Sequence, residues 1–297
     1  MRIDAHQHFW HLDKPFCDWP TPAEGRIYAD FDESDLAPLL NACGVDGTVL
    51  IQAAPSLDET HFLLEIADRA PFVRGVVGWI DMDAPSAMSD IEALACHPRF
   101  RGIRPMLQAI PQTEWILNPA FDGILGQLTE SGLCFDALVT PRHLDVLREM
   151  AKRHPALSII VDHAAKPSIR NGAKGFSNWR SQMTALAGNA NVSCKISGLL
   201  TEAGPDADLV TLRPYLDHLL SVFGAERLLW GSDWPVVLMA TDYGQWAAIC
   251  EEWLSDKSPS DRDLILGETA MRIYRLDLVE ESVRHCRDRE GYSHGVY

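Results

Sequence analysis

The sequence predicts a single α/β domain, a (β/α)8 barrel of the TIM type with long loops after its strands. Three observations carry that prediction. Short β-like runs alternate eight times with helical patterns along the chain, the order expected of a parallel sheet wrapped in helices. Links from helix to strand are short, whereas links from strand to helix are long. A chain of 297 residues, 46% of them apolar, can bury one large core, and barrels of this kind reach that length as one unit.

The β-like runs fall at residues 2–7, 46–52, 72–80, 100–104, 134–139, 157–163, 192–197 and 227–232. Between them, Leu144, Leu147 and Ala151 mark one helix. Leu216, Leu219, Leu220 and Phe223 mark another, and Trp246, Ile249, Cys250 and Trp253 a third, each with the spacing of one buried helical stripe. Gly44 and Gly224 stand where helices stop, and Ser260 with Asp263 makes a capping pair. A doubly wound sheet is the runner-up, but no phosphate-type glycine loop follows the first run. The barrel occupies residues 1–277; from 278 to 297 the chain turns polar and irregular, which reads as a loosely ordered tail or a subunit contact. Monomer and homo-oligomer are both compatible with that reading.

Composition excludes several functions. A formal charge of −16 argues against nucleic acid and against an anionic membrane, since both require a basic face. By the same argument, an anionic ligand needs a local Arg or Lys to overcome the global field. No run approaches the ~18 apolar residues of a membrane span, and Met1-Arg2-Ile3-Asp4 has no signal-like stretch, so the expected location is the cytoplasm. The seven cysteines are odd in number and include no C-x-x-C pair, which predicts reduced thiols.

The long strand-to-helix links, at 9–33, 105–118, 164–174, 198–208 and 234–243, locate the chemistry, because a barrel builds its site at the carboxyl ends of its strands. Trp10, Trp19, Trp115, Trp179 and Trp234 fall on or beside those loops, where they stack on a sugar ring or pack the loops. At the end of the first strand, "DAHQHFW" presents His6 and His8 two residues apart and therefore on one side, with Gln7 turned away. "SIIVDHAAKP" places His163 at the end of the sixth strand, and "RLLWGSDWPV" places Asp233 after the eighth. Three imidazoles and a carboxylate suit one zinc or manganese ion. Without metal, the imidazoles polarise a carbonyl while Asp233 takes a proton from water. Taken singly, His163 is equally a satisfied core histidine and Asp233 a helix cap.

Other strand ends add candidate substrate contacts. Arg104 closes the fourth strand and offers a guanidinium fork to a carbonyl or carboxylate, or else a salt bridge to a barrel carboxylate. Lys195 donates to hydroxyls or pairs with Asp136 or Asp233. Trp79 and Asp81 end the third strand, Gln52 ends the second, and Trp234 follows Asp233; Gln108 lies on the loop after Arg104. Asp162 orients a ligand histidine or caps.

The combination "DAHQHFW … DH..KP … WGSDWPV" resembles the amidohydrolase superfamily in its lactonase branch, which includes L-fuconolactonase-like sugar lactonases and 2-pyrone-4,6-dicarboxylate lactonase. The resemblance runs from Ile3 to about Leu276, where "GETAMRIYRL" is similar to the family's end motif. It implies a distorted (β/α)8 barrel that hydrolyses a small-molecule lactone in carbohydrate metabolism. His6, His8, His163 and Asp233 stand at the family's catalytic and metal positions. One departure matters: two-metal members carry a bridging lysine or glutamate on the middle strands, where this chain has Asp136 and Lys195. The resemblance therefore implies one divalent ion or none. The absence of a G-x-S-x-G elbow disfavours a serine hydrolase. Two rival enzymes are a single-metal decarboxylase of the same superfamily and a 2-pyrone-dicarboxylate-type lactonase; a sugar-acid-binding protein on an inactive barrel is a third alternative.

Overall fold

The computed structural model describes residues 1–204 and 206–277; the expected tail at 278–297 lies outside the described residues. The elements follow in the order β1 (Ile3–Gln7), α1 (Glu33–Cys43), β2 (Gly47–Ile51), α2 (Leu57–Arg69), β3 (Val73–Gly78), α3 (Ala87–Ala95), β4 (Phe100–Ile103) and α4 (Asp122–Glu130). They continue as β5 (Cys134–Ala137), α5 (Leu144–Arg153), β6 (Ile159–Val161), α6 (Gly172–Ala187), β7 (Val192–Ile196), α7 (Leu199–Ala203), α8 (Leu209–Phe223), β8 (Leu228–Trp230) and α9 (Tyr243–Leu254). The last turns are α10 (Pro259–Asp263), a π-helical segment Leu264–Glu268 and α11 (Thr269–Ile273). Strands β1 to β8 form one parallel sheet in sequence order. It closes through the residues that follow β8: Asp233 N–H donates to His6 O at 2.8 Å and His8 N–H to Trp234 O at 2.7 Å. This is the (β/α)8 barrel the alternation predicts.

Several strands are shorter than their apolar runs, and most of the difference lies at their carboxyl ends. Residues 138–139, 162–163 and 231–232 leave the ladder to build the loops above it. Inside the barrel, Ile3, Ala5, Val49, Ile51, Val77, Cys134, Ile160 and Leu229 form one apolar layer, joined from below by Ala270, Ile273, Tyr274 and Leu276. The "GETAMRIYRL" segment is thus the barrel's floor plug. The larger core lies between strands and outer helices, where the stripes read from the sequence are buried: Leu144, Leu147 and Ala151 on α5, Leu216, Leu219 and Phe223 on α8, Trp246, Ile249, Cys250 and Trp253 on α9.

Gly44 ends α1 in the left-handed conformation (φ 62°), as a helix stop requires. The late cap lies two residues earlier than Ser260: Ser258 accepts the Asp261 N–H, because Pro259 suits the first helical position and lacks the N–H that position leaves unpaired. Cys17, Cys43, Cys134, Cys194 and Cys250 are free thiols. Among the described residues no helix is long and apolar enough to cross a membrane.

Candidate active site

Strict alternation along β1 would face Asp4, His6 and His8 the same way. The strand instead shifts register between Asp4 and Gln7. Asp4 accepts from Tyr243 Oη on α9 at 3.1 Å and from the Ser232 N–H at 2.8 Å, while His6 meets the barrel's interior lysine. An irregularity of this kind re-aims side chains at the cost of one ladder position. Gln7 turns to Thr48 Oγ1 at 3.1 Å. Gly231 makes room for His6: a Cβ there would lie 2.7 Å from His6 Cβ.

The four predicted groups converge. His6 Nε2 and His8 Nε2 are 3.2 Å apart; Asp233 Oδ1 is 3.7 Å from the first and 3.4 Å from the second, and Asp233 Oδ2 is 3.8 Å from His163 Nδ1. His8 Nδ1 contacts Ile51 O at 2.8 Å, so it carries the proton and leaves Nε2 as a lone pair toward Asp233. His6 Nδ1 lies 3.0 Å from Lys195 Nζ and 3.3 Å from Asp162 Oδ1, so that ring can carry its proton on either nitrogen. Asp233 is itself in the left-handed region (φ 58°).

His163 sits in an unusual turn. His163, Ala164, Ala165 and Lys166 have φ of 50°, 50°, 60° and 51°, one turn of left-handed helix where a strand end was expected. Each non-glycine residue costs about 1–2 kcal/mol in that conformation. The turn is held from outside: Trp179 Nε1 donates to Ala164 O at 2.7 Å and Ser197 Oγ meets His163 Nδ1 at 2.9 Å. Gly198 (φ 64°) allows the imidazole in, since a Cβ would stand 2.7 Å from its Nδ1.

Burial pushes all three imidazoles down, His163 to about 4 and His6 well below its ordinary value. Burial pushes the Asp233 carboxyl up, but the surrounding imidazoles, His163 first among them, outweigh it and hold the group well below the carboxylate range. At neutral pH the cluster is therefore three neutral imidazoles around one carboxylate. That is the protonation state a divalent ion needs. His6, His8 and Asp233 form one possible metal group, and His6, Asp162 and His163 another. In the first, the donor atoms lie 3.2, 3.4 and 3.7 Å apart; bonds of about 2.0–2.1 Å in a tetrahedral set separate ligands by roughly 3.3–3.4 Å. The residues present fit one such ion.

Below the cluster lies a sealed ionic layer. Lys195 Nζ contacts Asp136 Oδ2 at 2.5 Å and Asp162 Oδ1 at 2.9 Å, and Tyr274 Oη donates to Asp136 Oδ2 at 2.7 Å. Arg104 Nη1 meets Asp162 Oδ2 at 3.3 Å, and its Nη2 donates to Gln52 O and, at 3.0 Å, to Gln52 Oε1. Burial opposes ionisation of Asp162, yet Lys195, His6 and Arg104 hold it well below its ordinary value. Of the two open readings for Asp162, the geometry is that of the group orienting a histidine.

A cavity of about 290 Å³ stands over this floor, lined by His8, His163, Asp233, Arg104, Gln108 and Lys166 among polar groups. Asp18 and Trp19 close one side, and Ala53, Ala54, Pro55, Met106, Leu138 and Val236 supply apolar wall. His6, Lys195, Gln52 and Trp234 do not line it: Lys195 lies beneath, Gln52 holds Arg104 in place, and Trp234 packs between Phe9 and Phe31. Trp79 and Asp81 line a neighbouring cavity of about 430 Å³ that shares Pro55 and Met106. Lys166 and Asp18 escaped the sequence reading of the site. Lys166 stood in the "DHAAKP" segment, but only the left-handed turn brings it to the cavity.

Comparison with known proteins agrees with this architecture. The sequence profile described as Amidohydrolase matches residues 3–276. The chain belongs to the amidohydrolase family. This amidohydrolase is 46% identical over 282 residues to an L-fucono-1,5-lactonase of Burkholderia ambifaria, covering 93% of this chain and 96% of the relative. It is 34% identical over 286 residues to an L-fucono-1,5-lactonase of Burkholderia multivorans, with the same coverage. A crystal structure of an amidohydrolase from Burkholderia multivorans with bound zinc superposes with a TM-score of 0.88 at 34% identity, covering 93% of this chain and 99% of the other.

Proposed function

We propose that this amidohydrolase opens a sugar-acid (aldono-) lactone by adding water to its ester carbonyl. It is a hydrolase acting on a cyclic ester, as its L-fucono-1,5-lactonase relatives are named, and its substrate is a hexonic or deoxy-hexonic lactone. The observation that carries the reading is the convergence of three neutral imidazoles and an ionised carboxylate, 3.2–3.8 Å apart, under a cavity at the carboxyl ends of the strands.

Asp233 acts as general base and takes a proton from the attacking water. Oxygen adds to the carbonyl carbon, and the charge that develops on the carbonyl oxygen is met by the Arg104 guanidinium and by the His163 imidazole. The ring C–O bond then breaks, and Asp233 returns its proton to the departing alkoxide. The new carboxylic acid ionises, releasing one proton per turnover. One zinc or manganese ion held by His6, His8 and Asp233, with His163 beside it, would supply Lewis acidity toward the carbonyl and a more acidic water. The apolar wall of Ala53, Ala54, Pro55, Met106, Leu138 and Val236 favours a neutral ring with a methyl or methylene face over a dicarboxylate.

A panel of 1,5- and 1,4-aldonolactones, followed with a pH indicator with and without chelator, tests substrate and ion together. The expected result is turnover of L-fucono-1,5-lactone and close epimers. Saturable binding without proton release would instead mark an inactive barrel, and release of CO2 from an aromatic acid a decarboxylase. The pH profile is a further check. Because burial lowers the imidazoles, the active neutral forms persist above their folded pKa and are lost below it. We expect kcat/KM to stay flat from pH 8 down to about 5 and to fall as the pH nears about 4, the value for His163. A limb centred near the ordinary imidazole value of 6.5 would contradict this.

A further inference from the structure

We propose that Lys166 is the anion-holding residue of the catalytic cavity, gripping the carboxylate that forms as the lactone opens. The inference rests on the lactonase reading above and adds the group that separates the charged product from the neutral substrate.

Availability is the first argument. Among the described residues, three cationic side chains stand in or under the cavity. Lys195 is sealed against Asp136 and Asp162. Arg104 lines the cavity but is bound to Asp162 and Gln52. Lys166 lines the same cavity and makes no ion pair or side-chain hydrogen bond among the described residues. Its charge is felt by Glu202 and His163 without a contact to either carboxylate or ring.

Placement is the second. The left-handed turn from His163 to Lys166 closes on itself through the Lys166 N–H to His163 O bond at 2.8 Å. Trp179 and Ser197 hold that turn from the outer layer and from the end of β7. The free ammonium and the catalytic imidazole are thus fixed to one short loop over one cavity.

Charge is the third. The chain carries −16, and one of those negative charges, the Asp233 carboxylate, stands on the cavity floor. A neutral lactone enters that field without penalty, but the oxyanion and the aldonate do not. An unpaired lysine beside the reacting centre interacts weakly with the neutral ground state and strongly once charge develops, so its contribution falls on kcat and on product affinity, not on KM.

The test compares wild type with Lys166→Met and Lys166→Arg, using L-fucono-1,5-lactone for kinetics and calorimetric binding of two probes, L-fuconate and the neutral 1,5-lactam of the same sugar. For Lys166→Met the expected results are a kcat lower by about tenfold or more, a KM within about threefold, and L-fuconate affinity weakened about tenfold, the scale of one charged hydrogen bond. Lactam affinity stays unchanged, and Lys166→Arg restores L-fuconate binding. Thermal melting of each variant checks the fold. Equal weakening of both probes would make Lys166 a wall or hydroxyl contact, and unchanged L-fuconate binding would leave it without a role; either overturns the proposal. Absence of wild-type turnover would sink the lactonase reading alone, since the two binding measurements still decide the anion site.

Discussion

Asp233→Asn is expected to lower kcat on L-fucono-1,5-lactone by about a thousandfold or more, the range for losing a general base that also serves as acid, while the protein melts within a few degrees of wild type. The separation of the two effects follows from the site. Asparagine keeps the shape, and it is among the residues that tolerate the left-handed φ of 58° that Asp233 adopts. The backbone N–H that joins Asp233 to His6 O, and so helps close the barrel, is untouched. The lost group is a buried charge whose neighbours are imidazoles, not a lysine or arginine. Removing that charge gives up the attraction of the imidazoles but also a desolvation cost, and it leaves no cation stranded. Activity, in contrast, loses the only carboxylate among the described residues within reach of both His8 and His163. A variant with kcat within tenfold of wild type would remove Asp233 from the mechanism. Loss of folding would show that the carboxylate is chiefly structural.

How far the sequence alone reaches is clearest at three places. The alternating apolar runs and unequal loop lengths are local properties, so eight strands and the active end of the barrel are readable without contacts. The pairing of His6 with His8 is readable for the same reason, but the register shift beneath them is not. It depends on Asp4 finding Ser232 and Tyr243, which lie 228 and 239 residues away. His163 was expected at a strand end and lies instead in a left-handed turn whose sequence, His-Ala-Ala-Lys, holds no glycine or asparagine to announce it. Its support comes from Trp179, Ser197 and Gly198 on later elements. The place of Lys166 at the cavity is not legible in the sequence for the same reason. Lys195 and Arg104 each carried two readings in the sequence, substrate contact or ion pair. Only the positions of Asp136 and Asp162 show the pairs, and Arg104 also reaches the cavity.

That ionic layer gives the second large effect, and it falls on stability. Lys195→Met is expected to destabilise the fold by about 3–5 kcal/mol, the cost of removing one partner from a buried pair. Lys195 is fully buried and, among the described residues, is the only cation in contact with Asp136. Without it, Asp136 keeps the Tyr274 hydroxyl and Asp162 keeps Arg104, so Asp136 is the more exposed to the loss. Burial already pushes Asp136 up to about 6 with the lysine present; without it the folded-state value rises further. A carboxyl whose folded value stands above its unfolded one favours the fold at low pH and opposes it as the pH climbs through the folded value. The deficit of Lys195→Met relative to wild type is therefore larger at pH 8 than at pH 5. Urea unfolding at the two pH values measures it, and Lys195→Met with Asp136→Asn should recover a large part, because the stranded charge is gone. A deficit below about 1 kcal/mol, as for an exposed pair, or one equal at both pH values, would mean that the lysine is not the counter-charge of this layer. The same variant also takes from His6 Nδ1 its nearest partner at 3.0 Å. Activity should therefore fall in the double variant too, even where stability returns, since the ring that faces His8 and Asp233 no longer has its orientation held from below.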